Sequence, residues 1–169
     1  MERRGWFPGV LMAAVLLLVA GGCGPATIGA QKGNLAPDFS LVTLDGRAEN
    51  LRDYRGRTVV LNFFATWCGP CRAEMPDLQA VYGELRDRGL VVVGVNQGES
   101  RQQVSAFARE FGLTFPIGLD EDQSIGRQYG VRAYPTTFII DRQGVIREVI
   151  VGGPLTRSAV RRQVEGLLK

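Results

Sequence analysis

The sequence V-V-L-N-F-F-A-T-W-C-G-P-C occupies residues 59–71 and contains two cysteines, Cys68 and Cys71, separated by two residues. Its apolar first half is rich in Val and Phe, which is typical of a strand buried on both faces. The apolar residues that follow recur at helical spacing, at Met75, Leu78, Tyr82 and Leu85. The cysteine pair is therefore predicted at the junction between a buried strand and a helix.

A position at the start of a helix favours redox chemistry for this pair. The unpaired N–H groups and the helix dipole there stabilise a thiolate, which is the nucleophile in disulfide exchange. Cys68 is predicted to be the exposed attacking residue, and Cys71 is predicted to resolve the mixed disulfide. Gly69 and Pro70 shape and stiffen the turn between them. The alternative is a structural staple, but a disulfide that closes so short a loop removes little chain entropy.

The composition limits the classes of function that the chain can have. With 169 residues it is expected to form one folded domain. Its net charge of +3 is too small to indicate a nucleic-acid partner. It has no histidine, so the commonest zinc and copper ligand and the usual general base of hydrolases are absent. We therefore expect no metal and no cofactor.

The N-terminal segment has the pattern of a secretory leader. Arg3 and Arg4 precede an apolar stretch at residues 10–20, and small residues follow. The sequence V-A-G-G-C, which ends at Cys23, resembles a bacterial lipoprotein cleavage box, and this resemblance implies lipidation of Cys23. The alternatives are an uncleaved membrane anchor and a cleaved leader in which Cys23 is only a small residue. All three predict an extracytoplasmic domain, with a leader at 1–23, a linker at 24–35 and the folded domain at 36–169.

The rest of the pattern predicts an α/β fold. One hairpin should turn at Asp45-Gly46, and another should turn at residues 142–144. Strands are predicted at 90–96 and 115–119, and helices after Ser100, at 123–129 and at the C-terminus. A strand–helix–strand unit makes the first pairing parallel, and the second hairpin adds antiparallel strands. We expect a mixed central sheet with helices on both faces, an N-terminal β-hairpin extension and an extra αβ insertion.

Two stretches resemble the thioredoxin superfamily. Residues 63–76, F-F-A-T-W-C-G-P-C-R-A-E-M-P, are similar to its active site, and residues 133–138, A-Y-P-T-T-F, are similar to its cis-proline loop. The leader, the sequence A-P-D-F-S-L from residue 36 and the sequence T-T-F-I-I-D from residue 136 narrow the resemblance to membrane-tethered TlpA/ResA-like reductases. The resemblance runs from about residue 36 to the C-terminus. It implies a thioredoxin fold in which cis Pro135 faces the cysteines.

The resemblance also implies roles for individual side chains. The substrate-binding surface is expected to consist of Trp67, Gly69, Pro70, Tyr134 and Pro135. Alternatively, Trp67 and Tyr134 are ordinary, partly buried aromatic residues.

A carboxylate close to the cysteines is a further expectation. Asn62 stands where cytoplasmic thioredoxins have a buried aspartate, and an amide cannot transfer a proton. Glu74 matches an active-site glutamate of the tethered reductases, so the resemblance implies a catalytic role for it. The alternative is a solvated carboxylate that is favoured by the helix dipole in the first turn.

An extracytoplasmic thiol–disulfide reductase is the function that the resemblance implies. Its expected partners are disulfide-containing extracytoplasmic proteins, including the haem-attachment cysteines of apocytochromes c, and a membrane thiol–disulfide electron donor. The residues between the cysteines, Gly69 and Pro70, lack the histidine of oxidants in the superfamily. We therefore expect a reduction potential near about −270 mV rather than about −120 mV.

Three alternative functions stay open. A general disulfide reductase would use the same chemistry on a broad set of substrates. The sequence A-P-D-F-S-L also opens the related peroxiredoxin family, but the peroxidatic signature P-x-x-x-T-x-x-C is absent. A copper-handling module would use the cysteine pair, but the absence of histidine and the presence of only three methionines leave it short of ligands.

Overall fold

A computed structural model describes Met1 and residues 27–168 of the chain. The leader from residue 2 onwards, Cys23 and the start of the predicted linker lie outside the described residues. The described residues form seven strands: β1 Ser40–Thr43, β2 Ala48–Asn50, β3 Thr58–Phe64, β4 Leu90–Gln97, β5 Ile117–Asp120, β6 Thr136–Ile140 and β7 Ile146–Val151. This part of the chain also forms four α-helices: α1 Gly69–Leu85, α2 Arg101–Glu110, α3 Ser124–Gln128 and α4 Arg157–Val164.

The strands form one mixed sheet in the order β2-β1-β5-β4-β3-β6-β7. Strand β4 pairs in parallel with both β3 and β5, and all other pairings are antiparallel. Both predicted hairpins and the mixed sheet are thus confirmed. Among the described residues, no helix is both long and apolar enough to cross a membrane.

Helices cover both faces of the sheet, as expected. Neighbouring residues of β3 alternate between the faces, so that Phe64 packs into one apolar cluster and Phe63 into the other. The first cluster joins the sheet to α1, α2 and α4, and the second joins it to α3 and the N-terminal segment. Because β3 is buried on both faces, its C-terminal end is held in place by packing, and α1 begins a few residues after it.

Two helices begin with side-chain caps. Ser100 and Gln103 form a capping box at the start of α2, and the Thr156 hydroxyl accepts a hydrogen bond from the Ala159 N–H at α4. Gly89 ends the α1 region with a φ of 91°, a left-handed conformation that glycine adopts without a steric penalty.

The second part of the predicted linker lies on the domain. The Gly33 N–H donates to the Ile146 carbonyl at 2.8 Å, and the Ile146 N–H donates to the Asn34 carbonyl at 2.9 Å. Next to them, the Ala36 N–H donates to Gly144 at 2.9 Å. Residues 33–36 therefore follow the start of β7 as an extended segment, which the polar, glycine-containing sequence did not reveal.

Candidate functional site

The two cysteines form a disulfide at the N-terminus of α1, with their Cα atoms 5.2 Å apart. Cys68 is the N-cap residue, and its sulfur accepts a hydrogen bond from the Cys71 N–H at 3.2 Å. The first turn of α1 contains no acidic residue that would oppose a negative charge on this sulfur. The predicted placement at a strand–helix junction is confirmed, and it favours a Cys68 thiolate once the pair is reduced.

The exposure of Cys68 is smaller than predicted. Only 5% of Cys68 is exposed, and Cys71 is fully buried. The expectation of an exposed attacking residue was wrong for this oxidised state, because the disulfide holds the Cys68 sulfur against Cys71 and both belong to the apolar cluster under α1. Cys68 is nevertheless the more accessible of the two, which agrees with its assignment as the attacking residue.

Glu74 is a fully buried carboxylate of the site. It is 0% exposed, and it lies in the second turn of α1, so the alternative of a solvated first-turn carboxylate was wrong. One carboxylate oxygen accepts from the Asn62 amide at 2.7 Å and the other accepts from the Leu155 N–H at 2.9 Å. Burial raises the pKa of Glu74 to about 7, although both hydrogen bonds oppose this shift. Glu74 can therefore exchange a proton near neutral pH.

A small polar network surrounds Glu74 inside the apolar core. The Asn62 Nδ2 group also donates to the Thr137 hydroxyl on β6 at 2.9 Å. The Asn62 Oδ1 atom is buried and has no hydrogen-bond partner among the described residues. A protonated Glu74 would need an acceptor for its O–H group, and a rotated Asn62 amide offers one. The network can thus adapt to either protonation state of Glu74.

The residues of the predicted substrate surface lie in two segments of the chain, one around the cysteines and one at the cis-proline. Trp67 is 71% exposed, and its ring meets the Tyr134 ring edge-on at a centroid distance of 6.0 Å. The peptide bond between Tyr134 and Pro135 is cis, as the resemblance implied. Gly69 and Pro70 are exposed, whereas Pro135 is buried. For Trp67, this exposure argues against an ordinary core aromatic and supports a role in binding.

Loop 152–155, between β7 and α4, connects the cis-proline to the buried carboxylate. At one end, the Gly152 N–H donates to the Pro135 carbonyl at 2.8 Å. At the other end, the Leu155 N–H binds Glu74. The two backbone hydrogen bonds lie three residues apart, so one short loop positions both groups.

Glu99 holds the loop before the cysteines and was missed in the sequence analysis. Its carboxylate accepts from the Thr66 N–H and the Asn96 amide, each at 2.7 Å, and from the Thr66 hydroxyl. The Arg72 guanidinium donates to the Thr66 carbonyl at 3.3 Å. All polar groups of Thr66, two residues before Cys68, are therefore fixed. The sequence contained a signal for this contact. Strands β3 and β4 are parallel, so Thr66 and Glu99, which follow them, lie at the same edge of the sheet.

The described residues offer no evident metal centre. Among residues 27–168, no group of three or more His, Cys, Asp or Glu side chains is arranged to hold a metal ion.

Several proteins of known name are similar to this chain. Residues 32–149 match the AhpC/TSA family. The chain is 42% identical over 135 residues to the thiol-disulfide oxidoreductase ResA of Geobacillus thermodenitrificans, a match that covers 80% of this chain and 77% of that protein. It is 45% identical over 141 residues to the thioredoxin-like protein YneN of Bacillus subtilis, with coverage of 82% and 81%.

A solved structure is also similar to this chain. The crystal structure of a thiol:disulfide interchange protein, a thioredoxin family protein of Chlorobium tepidum TLS, matches with a TM-score of 0.73 and 32% sequence identity. The match covers 86% of this chain and 99% of that structure. Residues 32–149 of the family match include the cysteine pair, Glu74 and the cis-proline.

Proposed function

The chain belongs to the AhpC/TSA family and is a thiol–disulfide oxidoreductase of the thioredoxin fold, and we propose that it reduces disulfides of other proteins outside the cytoplasm. The observation that carries this proposal is the position of the Cys68–Cys71 pair at the start of α1, one helical turn before a buried carboxylate with a pKa near neutrality. This arrangement supplies a nucleophile, a resolving thiol and a proton acceptor.

The first step is an attack on the substrate disulfide. The Cys68 thiolate, stabilised at the helix N-terminus, forms a bond to one substrate sulfur. The bond between the two substrate sulfurs breaks, and the other sulfur leaves as a thiolate that takes up a proton. The products of this step are a mixed disulfide between Cys68 and the substrate and one free substrate thiol.

The second step releases the substrate. Cys71 loses its proton, and we assign the acceptor as the Glu74 carboxylate, three residues further along α1. The Cys71 thiolate then bonds to the Cys68 sulfur, and the second substrate sulfur leaves as a thiolate and is protonated. Two electrons have passed to the substrate, and the enzyme is left with the Cys68–Cys71 disulfide.

The partners and the location are part of the proposal. The leader pattern at residues 1–23 supports export and attachment to a membrane, through a lipid on Cys23 or an uncleaved anchor. In an oxidising compartment the dithiol must be reduced again after each turnover, so the proposal includes a membrane thiol–disulfide electron donor. The proposed substrates are disulfide-containing extracytoplasmic proteins, and apocytochromes c are the specific candidates.

A trapping experiment tests this function. The Cys71→Ser variant, expressed with its leader in the native cell, cannot resolve the mixed disulfide and should retain substrates through Cys68. The Cys68→Ser variant is the matched control and should retain none. Capture of apocytochromes c or a small set of exported disulfide proteins would support the proposal. Adducts that form through Cys71 alone would reverse the two roles, and a broad spectrum would indicate a general reductase.

A further inference from the structure

Strand β7 forms one edge of the sheet and ends beside the cis-proline loop. The sheet order places β6 on one side of β7, and among the described residues no strand pairs with its other side. Val151, the last residue of β7, is 64% exposed and lies opposite Thr136, the residue after the cis-proline. An open strand edge presents unpaired N–H and C=O groups to any extended chain that reaches it.

The register of β6 and β7 identifies which groups face outward. The hydrogen bond from the Gly152 N–H to the Pro135 carbonyl makes Thr136 and Val151 a non-hydrogen-bonded pair. The N–H and C=O groups of Val151 therefore point away from β6. The same holds for Val149, two residues earlier, whose N–H contacts only the neighbouring Glu148 carboxylate at 3.3 Å within the described part of the chain.

The lower half of this edge already binds an extended segment. Ile146 uses its outward N–H and C=O groups to pair with Asn34 and Gly33, at 2.9 and 2.8 Å. The β7 edge is thus competent for backbone pairing, and the segment at residues 33–36 covers only its start. Within residues 27–168, no backbone hydrogen bond joins another segment to the part next to the cis-proline.

An apolar groove lies beside the open part of the edge. It has a volume of about 310 Å³ and reaches the cis-proline loop at Ala133. Its walls include Val149, Val151 and Ala30, and Arg132 supplies a positive charge. A strand added to an edge places alternate side chains on one face of the sheet, and a pocket there selects among them.

We propose that the open edge of β7 at Val149 and Val151 pairs with an extended segment of the protein substrate next to its target disulfide. This inference rests on the proposed reductase function and adds the way in which the polypeptide is held. Continuity decides the occupant, because Val151 lies opposite Thr136, and a segment paired with Val151 therefore lies next to the cis-proline of the proposed substrate surface. An apolar side chain of that segment enters the groove, and an acidic neighbour is favoured by Arg132.

The test removes the outward N–H group of Val151. Full-length protein in detergent is assayed with insulin, whose disulfides lie in polypeptide segments, and with hydroxyethyl disulfide, which has no segment to pair. In Val151→Pro, the ratio of kcat/KM for insulin to that for hydroxyethyl disulfide should fall about fivefold to tenfold. Ala48→Pro is the matched control, because Ala48 also directs its N–H outward, on the opposite edge of the sheet at β2. Its ratio should stay within about twofold of wild type.

Other results would contradict either the pairing at β7 or the reductase function. An unchanged ratio in Val151→Pro, or an equal fall in Val151→Ala, which keeps the N–H group, would overturn backbone pairing. A wild-type dimer that becomes a monomer in Val151→Pro, measured by sedimentation equilibrium, would assign the edge to a second copy of the chain instead. Failure of the wild-type enzyme to reduce either disulfide would contradict the reductase function itself, which separates the two proposals.

Discussion

The backbone N–H of Leu155 binds the carboxylate of Glu74 at 2.9 Å, although the two residues are 81 positions apart in the sequence. This bond joins the active-site helix to loop 152–155, which also holds the cis-proline. The contact shows how the fold places a carboxylate in an apolar core and still satisfies one of its oxygens. Loop 152–155 therefore contacts both the buried carboxylate and the cis-proline.

Activity should depend on the ionisation of Glu74. Burial raises its pKa to about 7, so the carboxylate that accepts the Cys71 proton becomes available as the pH rises through that value. The rate of disulfide reduction should show an increase near pH 7, and Glu74→Gln should abolish that increase and lower the rate about tenfold or more at pH 8. Steady-state reduction of insulin from about pH 5 to pH 9 measures this. Glu121→Gln, at an exposed carboxylate, is the control, and an unchanged profile in Glu74→Gln would remove Glu74 from the mechanism.

The stability of the oxidised protein should fall as the pH rises. The folded protein keeps the Glu74 proton up to about pH 7, whereas the unfolded chain releases it near the ordinary value of 4.5. Between these values the folded state binds more protons, so the free energy of unfolding decreases with pH, by up to about 3 kcal/mol. Glu74→Gln cannot ionise and should be more stable than wild type at pH 8, with little difference at pH 4. Urea unfolding at both pH values tests this, and parallel pH dependences in the two proteins would contradict it.

Glu99 should position the loop that precedes Cys68. Glu99→Ala leaves the Thr66 N–H and the Asn96 amide without their acceptor in a buried site, which should cost about 2–4 kcal/mol of stability. Because Thr66 lies two residues before Cys68, the KM for insulin should rise more than kcat falls. Glu99→Gln keeps one acceptor oxygen and should recover part of both effects. If Glu99→Ala behaves like the exposed Glu121→Ala, the proposed role of Glu99 is wrong.

The fold was predictable because its signals are local. The apolar run of β3, the cap at Ser100 and the turn at Asp45-Gly46 each act within a few residues. The position of the cysteines at a helix start follows from the same local pattern. The structure places Phe63 and Phe64 on opposite faces of the sheet, as expected for neighbouring residues of a strand.

The contacts around the site were less predictable because they join distant segments. The burial of Glu74 depends on Leu155 and Asn62, which belong to other elements, so its helical position alone did not distinguish a buried from a solvated carboxylate. The low exposure of Cys68 depends on the closed disulfide and on the packing under α1. Gly33 and Asn34 pair with β7 only through their backbones, and a backbone contact leaves little trace in the side-chain pattern.

The residues between the cysteines should set a reducing potential. A strong oxidant owes its potential to a stabilised reduced form, in which a nearby positive charge favours the thiolate. Gly69 and Pro70 supply no such charge, and Pro70 is exposed between the two cysteines at the start of α1. We expect a potential near about −270 mV, measured by equilibration with a glutathione or dithiothreitol redox buffer. A value above about −180 mV would contradict the reductase assignment.

Pro70→His should raise the potential by about 30 mV or more below pH 6, where the imidazole is charged, and less above pH 8. Pro70→Gln is the neutral control, and an equal rise in that variant would show that the stiffness of the proline, rather than charge, sets the potential.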